Sequence, residues 1–498
     1  MSAHMSAPDE LYDLVIAGGT LVTAIDTMEA DLGVRGGKIA AIGRGLGAGK
    51  RTIAARGRLV LPGGIDTHAH IEQLSGMGAT NADSFESATK AAAAGGTTSL
   101  ICFAAQHRGN SLKTVMEDYH ARARKGAVID YAFHMILADP TEKVLKEELP
   151  PLIASGHGSI KLFMTYDYVR VDDEQVLDVL TAARAGGAMV CVHAENHGMI
   201  AWLSKRLIER GYTAPKYHGV SHPRGGEIEA FHRIIAFSEL VDQPVMIFHV
   251  STAEGAAIIR EARGLGVKVY GETCPQYLFL TKEVMDKPGF EGAKWVFSPP
   301  AREASDSAAL WRALKLGDLQ TVTSDHAPYS FDKGGKFMNS AEPTFKQIPN
   351  GMPGLEWRMP LLMDEALKAN GRITLNELVR LTATAPAEIY NLGPRKGSLA
   401  IGADADIVVW DPTATRTLKD TDVLSRAGYN PWAGRTVTGW PETVVRRGEV
   451  IVAGSGAACT GTPGSGQFLA RSGGRAAQPR GIPSGEYDPA RNFGARLA

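Results

Sequence analysis

The sequence predicts an α/β fold: a (β/α)8 TIM-type barrel with a small β-sandwich domain built from both terminal segments. Three observations point there. Between about residues 61 and 399, helix-like and strand-like stretches alternate, as in repeated βα units. The texture changes at both ends, where short apolar runs are split by glycine in the manner of β-hairpins. A doubly wound sheet would share the alternation. However, polar residues gather where the apolar strands stop, and in a barrel the active site lies at the strands' C-terminal face.

The elements follow in order. Residues 1–6 carry a second Met, Met5, and read as an added leader, so 1–10 are assigned as tag or disorder. Leu14-Val15-Ile16-Ala17, Gly18-Gly19, Leu21-Val22 and Lys38-Ile39-Ala40-Ala41-Ile42-Gly43 read as a small antiparallel unit with tight turns. Asp83-Ser84-Phe85-Glu86 reads as a capped helix start, with Asp83 the acidic cap and Glu86 three residues on. The Ala91–Ala94 helix stops at Gly95-Gly96, and a buried strand follows over 97–104. The unit recurs as helix 174–185, Gly186-Gly187 and strand 188–192, then as helix 253–265 and strand 267–270. Asp406-Ile407-Val408-Val409-Trp410 and Glu449-Val450-Ile451-Val452 return to the β texture. Residues 11–60 with 400–456 therefore form one small β domain around a barrel at 61–399. The stretch 457–498 is rich in Gly, Ser, Arg and Pro and reads as an extended arm, partly disordered or serving subunit contacts.

Composition narrows the function. Against 54 Asp and Glu stand 53 Lys and Arg, a net charge of −1 that gives no reason to expect nucleic acid or an anionic membrane. With 44% apolar and 21% charged residues the 498-residue chain can bury a large core. Four cysteines are no disulfide framework, and Cys102, Cys191 and Cys274 sit in apolar runs where a buried thiol belongs. No apolar stretch reaches the roughly 18 residues of a membrane span, and the start lacks a signal-peptide layout, so the expected location is cytoplasmic.

The chemistry lies at the strand ends. After Leu59-Val60-Leu61-Pro62-Gly63-Gly64-Ile65 comes Asp66-Thr67-His68-Ala69-His70, and on a strand two residues two apart face one way. Val190-Cys191-Val192-His193, Val245-Met246-Ile247-Phe248-His249 and Thr321-Val322-Thr323-Ser324-Asp325 end three further runs with His or Asp. Imidazoles and a carboxylate without thiolate suit a catalytic metal centre with open positions rather than a closed structural zinc site. Lys161, inside the apolar Ser159-Ile160-Lys161-Leu162-Phe163-Met164, is costly unless its charge is paired or removed.

These residues and their order resemble the amidohydrolase superfamily, and within it the cyclic amidases: dihydropyrimidinase and D-hydantoinase. The most specific matches are Lys161-Leu162-Phe163-Met164-Thr165-Tyr166, His193-Ala194-Glu195-Asn196 and Glu272-Thr273-Cys274-Pro275-Gln276-Tyr277-Leu278. Ser298-Pro299-Pro300-Ala301-Arg302, Ser324-Asp325-His326, Ile348-Pro349-Asn350-Gly351 and Gly464-Ser465-Gly466-Gln467-Phe468-Leu469-Ala470-Arg471 extend the likeness over nearly the whole chain. Gly402-Ala403-Asp404-Ala405-Asp406-Ile407-Val408 marks only the superfamily's β domain.

The resemblance implies two divalent metal ions, most simply Zn2+, bridged by a hydroxide and by Lys161 carboxylated on its amine. His68, His70 and Asp325 would hold the more buried ion and His193 and His249 the second. Asp325 would be general base and then acid, Tyr166 would hydrogen-bond the oxyanion, and Ser298 and Asn350 would hold the ring's –NH–CO– edge. The expected reaction opens dihydropyrimidines or 5-substituted hydantoins to N-carbamoyl amino acids, in a homo-oligomer that in this family is commonly a tetramer. Allantoinase is the nearest rival, but Ile71-Glu72-Gln73-Leu74-Ser75-Gly76-Met77 lacks its Asn-Glu-Pro-Gly run. Dihydroorotase is disfavoured because Glu72 stands where that family has an Arg for the substrate carboxylate. A non-catalytic scaffold of the dihydropyrimidinase-like type would not need all six ligand positions filled. Leu74 and Met77 are expected to wall an apolar pocket, with Glu72 and Arg170 as polar departures; His197, His218, His222 and His326 are expected at the surface or supporting the ligands, and Asp66 behind a ligand.

Overall fold

A computed structural model of the chain describes residues 11–481, 484–486 and 488–495. The leader assigned to residues 1–10 lies outside the described residues.

The terminal segments meet in one eight-stranded mixed sheet. It contains β1 (Leu14–Val22), β2 (Thr27–Arg35), β3 (Lys38–Gly43), β4 (Arg51–Ala54) and β5 (Leu59–Pro62). The second sheet contains β6 (Gly64–Ala69), β7 (Thr97–Ala105), β8 (Asp130–Ile136), β9 (Ser159–Phe163), β10 (Met189–His193), β11 (Val245–Ile247), β12 (Val269–Thr273) and β13 (Thr321–Val322). The chain then returns to the first sheet with β14 (Ile407–Thr417), β15 (Thr436–Arg446) and β16 (Glu449–Ala453).

In the first sheet β14 pairs antiparallel with β5, which joins the two ends of the chain. The glycines expected to turn the chain at 18–19 instead lie within β1. There Gly18 takes φ 71°, and the pairing with β2 slips between Ile16 and Gly19. A glycine absorbs such a bulge without steric cost. Beyond the slip β1 changes partner, from β4 to β5, both parallel, so the unit is mixed rather than wholly antiparallel. Its inward side chains, among them Ile16, Leu32, Ile407 and Val445, enclose a small core of their own.

The second sheet runs β6 to β13 with every neighbour parallel. A bridge between Ala69 and His326, with His70 N donating to His326 O at 2.7 Å, closes it into a barrel. Every residue of β7, β8, β9 and β10 is buried, as strands covered on one face by helices and on the other by the barrel interior require. The helix expected at 174–185 spans Asp173–Gly186, with Asp172 and Gln175 forming a capping box and Gly187 in the left-handed region at its end. The helix Phe85–Ala94 is capped differently from the expectation: Ser84, not Asp83, accepts from Ser87 N, and Ser87 returns the bond. Asp83 is drawn away by Ser425, the backbone N of Arg426 and His326.

Part of the C-terminal arm is ordered against the floor of the barrel, where the strands begin. Tyr131 N donates to Gln467 O, and Leu469 N to Tyr131 O, at the start of β8. Arg471 N donates to Gly156 O before β9, Lys268 Nζ to Gln478 O before β12, and Arg480 pairs with Asp242 before β11. The floor is thereby covered, and the opposite end is left for chemistry.

Candidate metal centre and active site

All six expected ligands and all three expected substrate contacts line one cavity of about 520 Å³ at the strands' C-terminal ends. His68 and His70 come from β6 and the residue after it, Lys161 from β9, His193 from the end of β10, His249 from two residues beyond β11, and Asp325 from the loop after β13. Tyr166, His249 and Asp325 have φ of 77°, 40° and 47°, a conformation that costs non-glycine residues of order 1–3 kcal/mol and concentrates at functional sites.

The donor set closes on itself. The ligand atoms of His68, His70 and Asp325 lie within 4.8 Å of one another. His68 Nε2 is 3.0 Å and His70 Nε2 3.6 Å from one Asp325 oxygen. The His193 and His249 rings are 4.4 Å apart, and His249 lies 5.5 Å from His68. Buried and without a hydrogen-bond partner are Lys161 Nζ and His249 Nδ1. Two such nitrogens beside the His68–His70–Asp325 cluster cost folding free energy that a bound group would recover. The residues therefore fit a divalent metal centre.

Supporting groups aim each imidazole. His68 Nδ1–H donates to Glu272, and His70 Nδ1–H to Gln73 Oε1 at 2.7 Å, which leaves both Nε2 atoms facing Asp325. His193 Nε2–H donates to Glu195 at 2.8 Å, so its Nδ1 faces the centre, and the other Glu195 oxygen accepts from His222 at 2.9 Å. Asp66 accepts from His68 N at 3.1 Å and Ser324 N at 3.2 Å, and pairs with the fully buried Arg358. It thus holds the backbone of two ligand-bearing segments.

Charge follows this geometry. Burial keeps His70, His193 and His249 below the ordinary histidine range, so each presents a lone pair. In His68 burial pulls the same way, but the Asp325 and Glu272 carboxylates win and raise it to about 9. Asp325 resists burial because His68 and His70 hold it well below the carboxylate range. Burial lowers Lys161 to about 7, and its amine faces the rings of Phe248 at 4.1 Å and Phe163 at 4.8 Å with no carboxylate bonded to it. Burial lifts the Tyr166 hydroxyl above its usual range, so it stays a donor, lying against Ser298 and Asn350. Asn350 Nδ2 donates to Ser298 Oγ at 3.1 Å.

The remaining histidines divide. His222 buttresses Glu195, and His326 accepts from Gly354 N at 3.1 Å and faces Asp83 at 3.2 Å. His218 donates to Phe297 O at 2.9 Å beside Ser298, and His197 lines the mouth, 3.5 Å from Asp167. Leu74 and Met77 wall the cavity, but Glu72 and Arg170 do not. Glu72, at φ 50°, turns away and accepts from Phe85 N at 2.8 Å at the start of helix Phe85–Ala94. Its charge therefore stabilises a helix N-terminus rather than facing the ring. Sequence reasoning assigned no role to Glu195, Glu272, Gln73 or Arg358. For both glutamates the signal was present, an acid at the end of an apolar strand.

A protein-family model for the amidohydrolase family matches residues 59–451. The chain belongs to the amidohydrolase family. Within it, a D-hydantoinase of Geobacillus stearothermophilus is 45% identical over 92% of this chain and 96% of its own. A D-hydantoinase of Ralstonia pickettii is 43% identical over 92% and 99%. The crystal structure of a dihydropyrimidinase from Brevibacillus agri NCHU1002 is 42% identical and superposes with a TM-score of 0.89 over 92% of this chain and 99% of that one.

Proposed function

We propose that this chain hydrolyses the cyclic amide bond of dihydropyrimidines, such as dihydrouracil and dihydrothymine, and of 5-substituted hydantoins, to N-carbamoyl amino acids. The observation that carries the reading is the meeting of the six-residue donor set with the Tyr166–Ser298–Asn350 edge in one cavity. A ring amide needs both: a carbonyl must be polarised, and its –NH–CO– edge must be held. The D-hydantoinases at 43% and 45% identity support the same reaction and favour D-substituted hydantoins.

His68, His70 and Asp325 would hold one divalent cation and His193 and His249 a second, with Lys161, as its N-carboxylate, supplying a further anionic ligand. Zn2+ suits such imidazole and carboxylate donors. Cations held there supply Lewis acidity, lowering the pKa of water and polarising a carbonyl. The chain's own residues do the rest. Lys161 near pKa 7 is about half free amine at neutral pH, the form whose nitrogen adds to CO2 and then loses a proton. Asp325, ionised, accepts a proton from the attacking water and returns it to the leaving ring nitrogen. The Tyr166 hydroxyl donates to the oxyanion as the carbonyl carbon becomes tetrahedral. Ser298 and Asn350 hold the ring edge, and Leu74 and Met77 meet the exocyclic substituent.

We further assign residues 11–60 with 400–456 to the small β domain, 61–399 to the catalytic barrel and 457–498 to the arm of a cytoplasmic homotetramer. Among the described residues no helix is long and apolar enough to cross a membrane. Sedimentation of the full chain tests the assembly. Turnover tests the reaction: protein reconstituted with Zn2+ and bicarbonate should convert dihydrouracil to N-carbamoyl-β-alanine and open D-5-substituted hydantoins. Failure on both rings with the metal site filled would overturn the reading.

A further inference from the structure

Lys336, on the loop that follows Asp325, is completely buried. Its amine bonds three backbone carbonyls: Val296 O at 3.0 Å, Pro349 O at 2.7 Å and Gly351 O at 2.7 Å. Among the described residues no carboxylate pairs with it. Burial pushes its pKa well down, yet an amine that donates to three acceptors must carry three protons, so the bonding pattern requires the ammonium form. Three converging carbonyls around one positive charge are the arrangement that coordinates a small monovalent cation, here supplied by the chain itself.

The acceptors are not scattered. Pro349 and Gly351 flank Asn350, and Val296 lies two residues before Ser298. Between the same segments Gly351 N donates to Val296 O at 2.9 Å, and Asn350 Nδ2 donates to Ser298 Oγ at 3.1 Å. Gly351, at φ 142°, sits so tightly that an added Cβ would lie 2.3 Å from Ala327 O. The ammonium therefore adds to two direct hydrogen bonds in tying together the two loops that carry Ser298 and Asn350.

We propose that Lys336 is a positioning residue for ring recognition, its ammonium acting as a built-in monovalent cation that sets the separation of Ser298 from Asn350. The inference rests on the reading of that pair as the edge that holds the ring. Lys336 touches neither the metal donors nor the cavity, so its loss should reach the reaction through binding. Without the charge, three carbonyl dipoles face one another and the loops part.

The test uses the full-length, metal-loaded protein with Lys336→Met, Lys336→Ala and Lys336→Met combined with Asn350→Ala, assayed on dihydrouracil and a D-5-substituted hydantoin. KM should rise about tenfold or more in both single variants while kcat stays within about threefold, as for unpaired buried acceptors that misplace a binding edge. The double variant should be no worse in KM than Asn350→Ala alone. Methylammonium chloride should restore KM and raise the unfolding temperature of Lys336→Ala, where it can enter the vacated space, but not of Lys336→Met, which fills it. An unchanged KM with a lowered unfolding temperature, additive effects with Asn350→Ala, or failure of both variants to fold in methylammonium would each overturn the proposal. If the unaltered protein opens neither ring, the functional reading fails, and the cation dependence of Lys336→Ala unfolding still decides whether the lysine is a built-in cation.

Discussion

Two lysines of the barrel are buried alike and treated oppositely. Lys396, at the floor, meets three carboxylates: Asp130 at 2.7 Å, Asp406 at 2.7 Å and Asp404 at 3.1 Å. Lys161, toward the open end, meets aromatic rings and no hydrogen-bond partner at all. The floor carries its own counter-charge because its lysine is structural. In the cavity the partners are withheld, and the cost is recovered only when something binds. A buried amine alone is thus no sign of function; a buried amine without acceptors is.

Exchange of each lysine for methionine sharpens the contrast most. Lys161→Met should lower turnover by about a thousandfold or more, the scale expected when a group central to the reacting atoms is lost. It should also bind fewer metal ions per chain, yet unfold no more easily when metal-free. The sign follows from the pKa: folding holds Lys161 at about 7 against 10.5 when unfolded, so the amine costs stability at neutral pH, and its removal relieves that cost. Lys396→Met should do the reverse, destabilising by about 3–5 kcal/mol because it strands buried carboxylates, with near-normal turnover in the molecules that fold. Denaturant melts beside metal analysis would show both. If Lys161→Met melted like Lys396→Met, the contrast would collapse.

A second expected effect concerns protons. The metal-free protein holds His68 protonated up to about pH 9, so the resulting stability is complete below 6.5 and is lost as pH rises through 9. A metal ion must displace that proton, and calorimetry at pH 7 in buffers of different ionisation enthalpy should register its release. Arg471→Met tests the floor itself. Arg471 Nη2 donates to Ser159 Oγ at 2.6 Å, Ser159 stands 2.6 Å from His134 Nδ1, and His134 Nε2–H donates to Thr67 O at 3.0 Å beside His68. Its loss should cost about 1–3 kcal/mol of stability, with a small fall in metal affinity. The smallest effect is expected from Glu72→Gln: about 0.3–1 kcal/mol from a weakened helix N-terminus, and no change in preference between neutral and anionic rings.

Much of this was legible from residue order alone. A lysine in an apolar strand, a His-x-His, and His or Asp ending three other strands are local patterns, and each lies at the cavity. What stayed hidden depends on which residues meet across the barrel. Glu272 supports His68 from 204 positions away, and Arg358 meets Asp66 from the far side of the chain. No spacing rule announces either pair. Glu72 misleads because a backbone at φ 50° reverses the direction that strand alternation assigns to its side chain. Residues 467–480 look shapeless because they are held by the exposed edges of other segments rather than by a periodic face of their own.

The pairing of β5 with β14 has a consequence for how the molecule is made. β5 ends at Pro62 and β14 begins at Ile407, so about 345 residues emerge between them. At the usual pace of synthesis, about 5–20 residues per second, the first strands wait roughly 20–70 seconds with one edge unpaired. An unpaired edge is a template for the wrong neighbour. The nascent chain therefore carries its greatest hazard at its oldest part, and is released from it only when nearly complete.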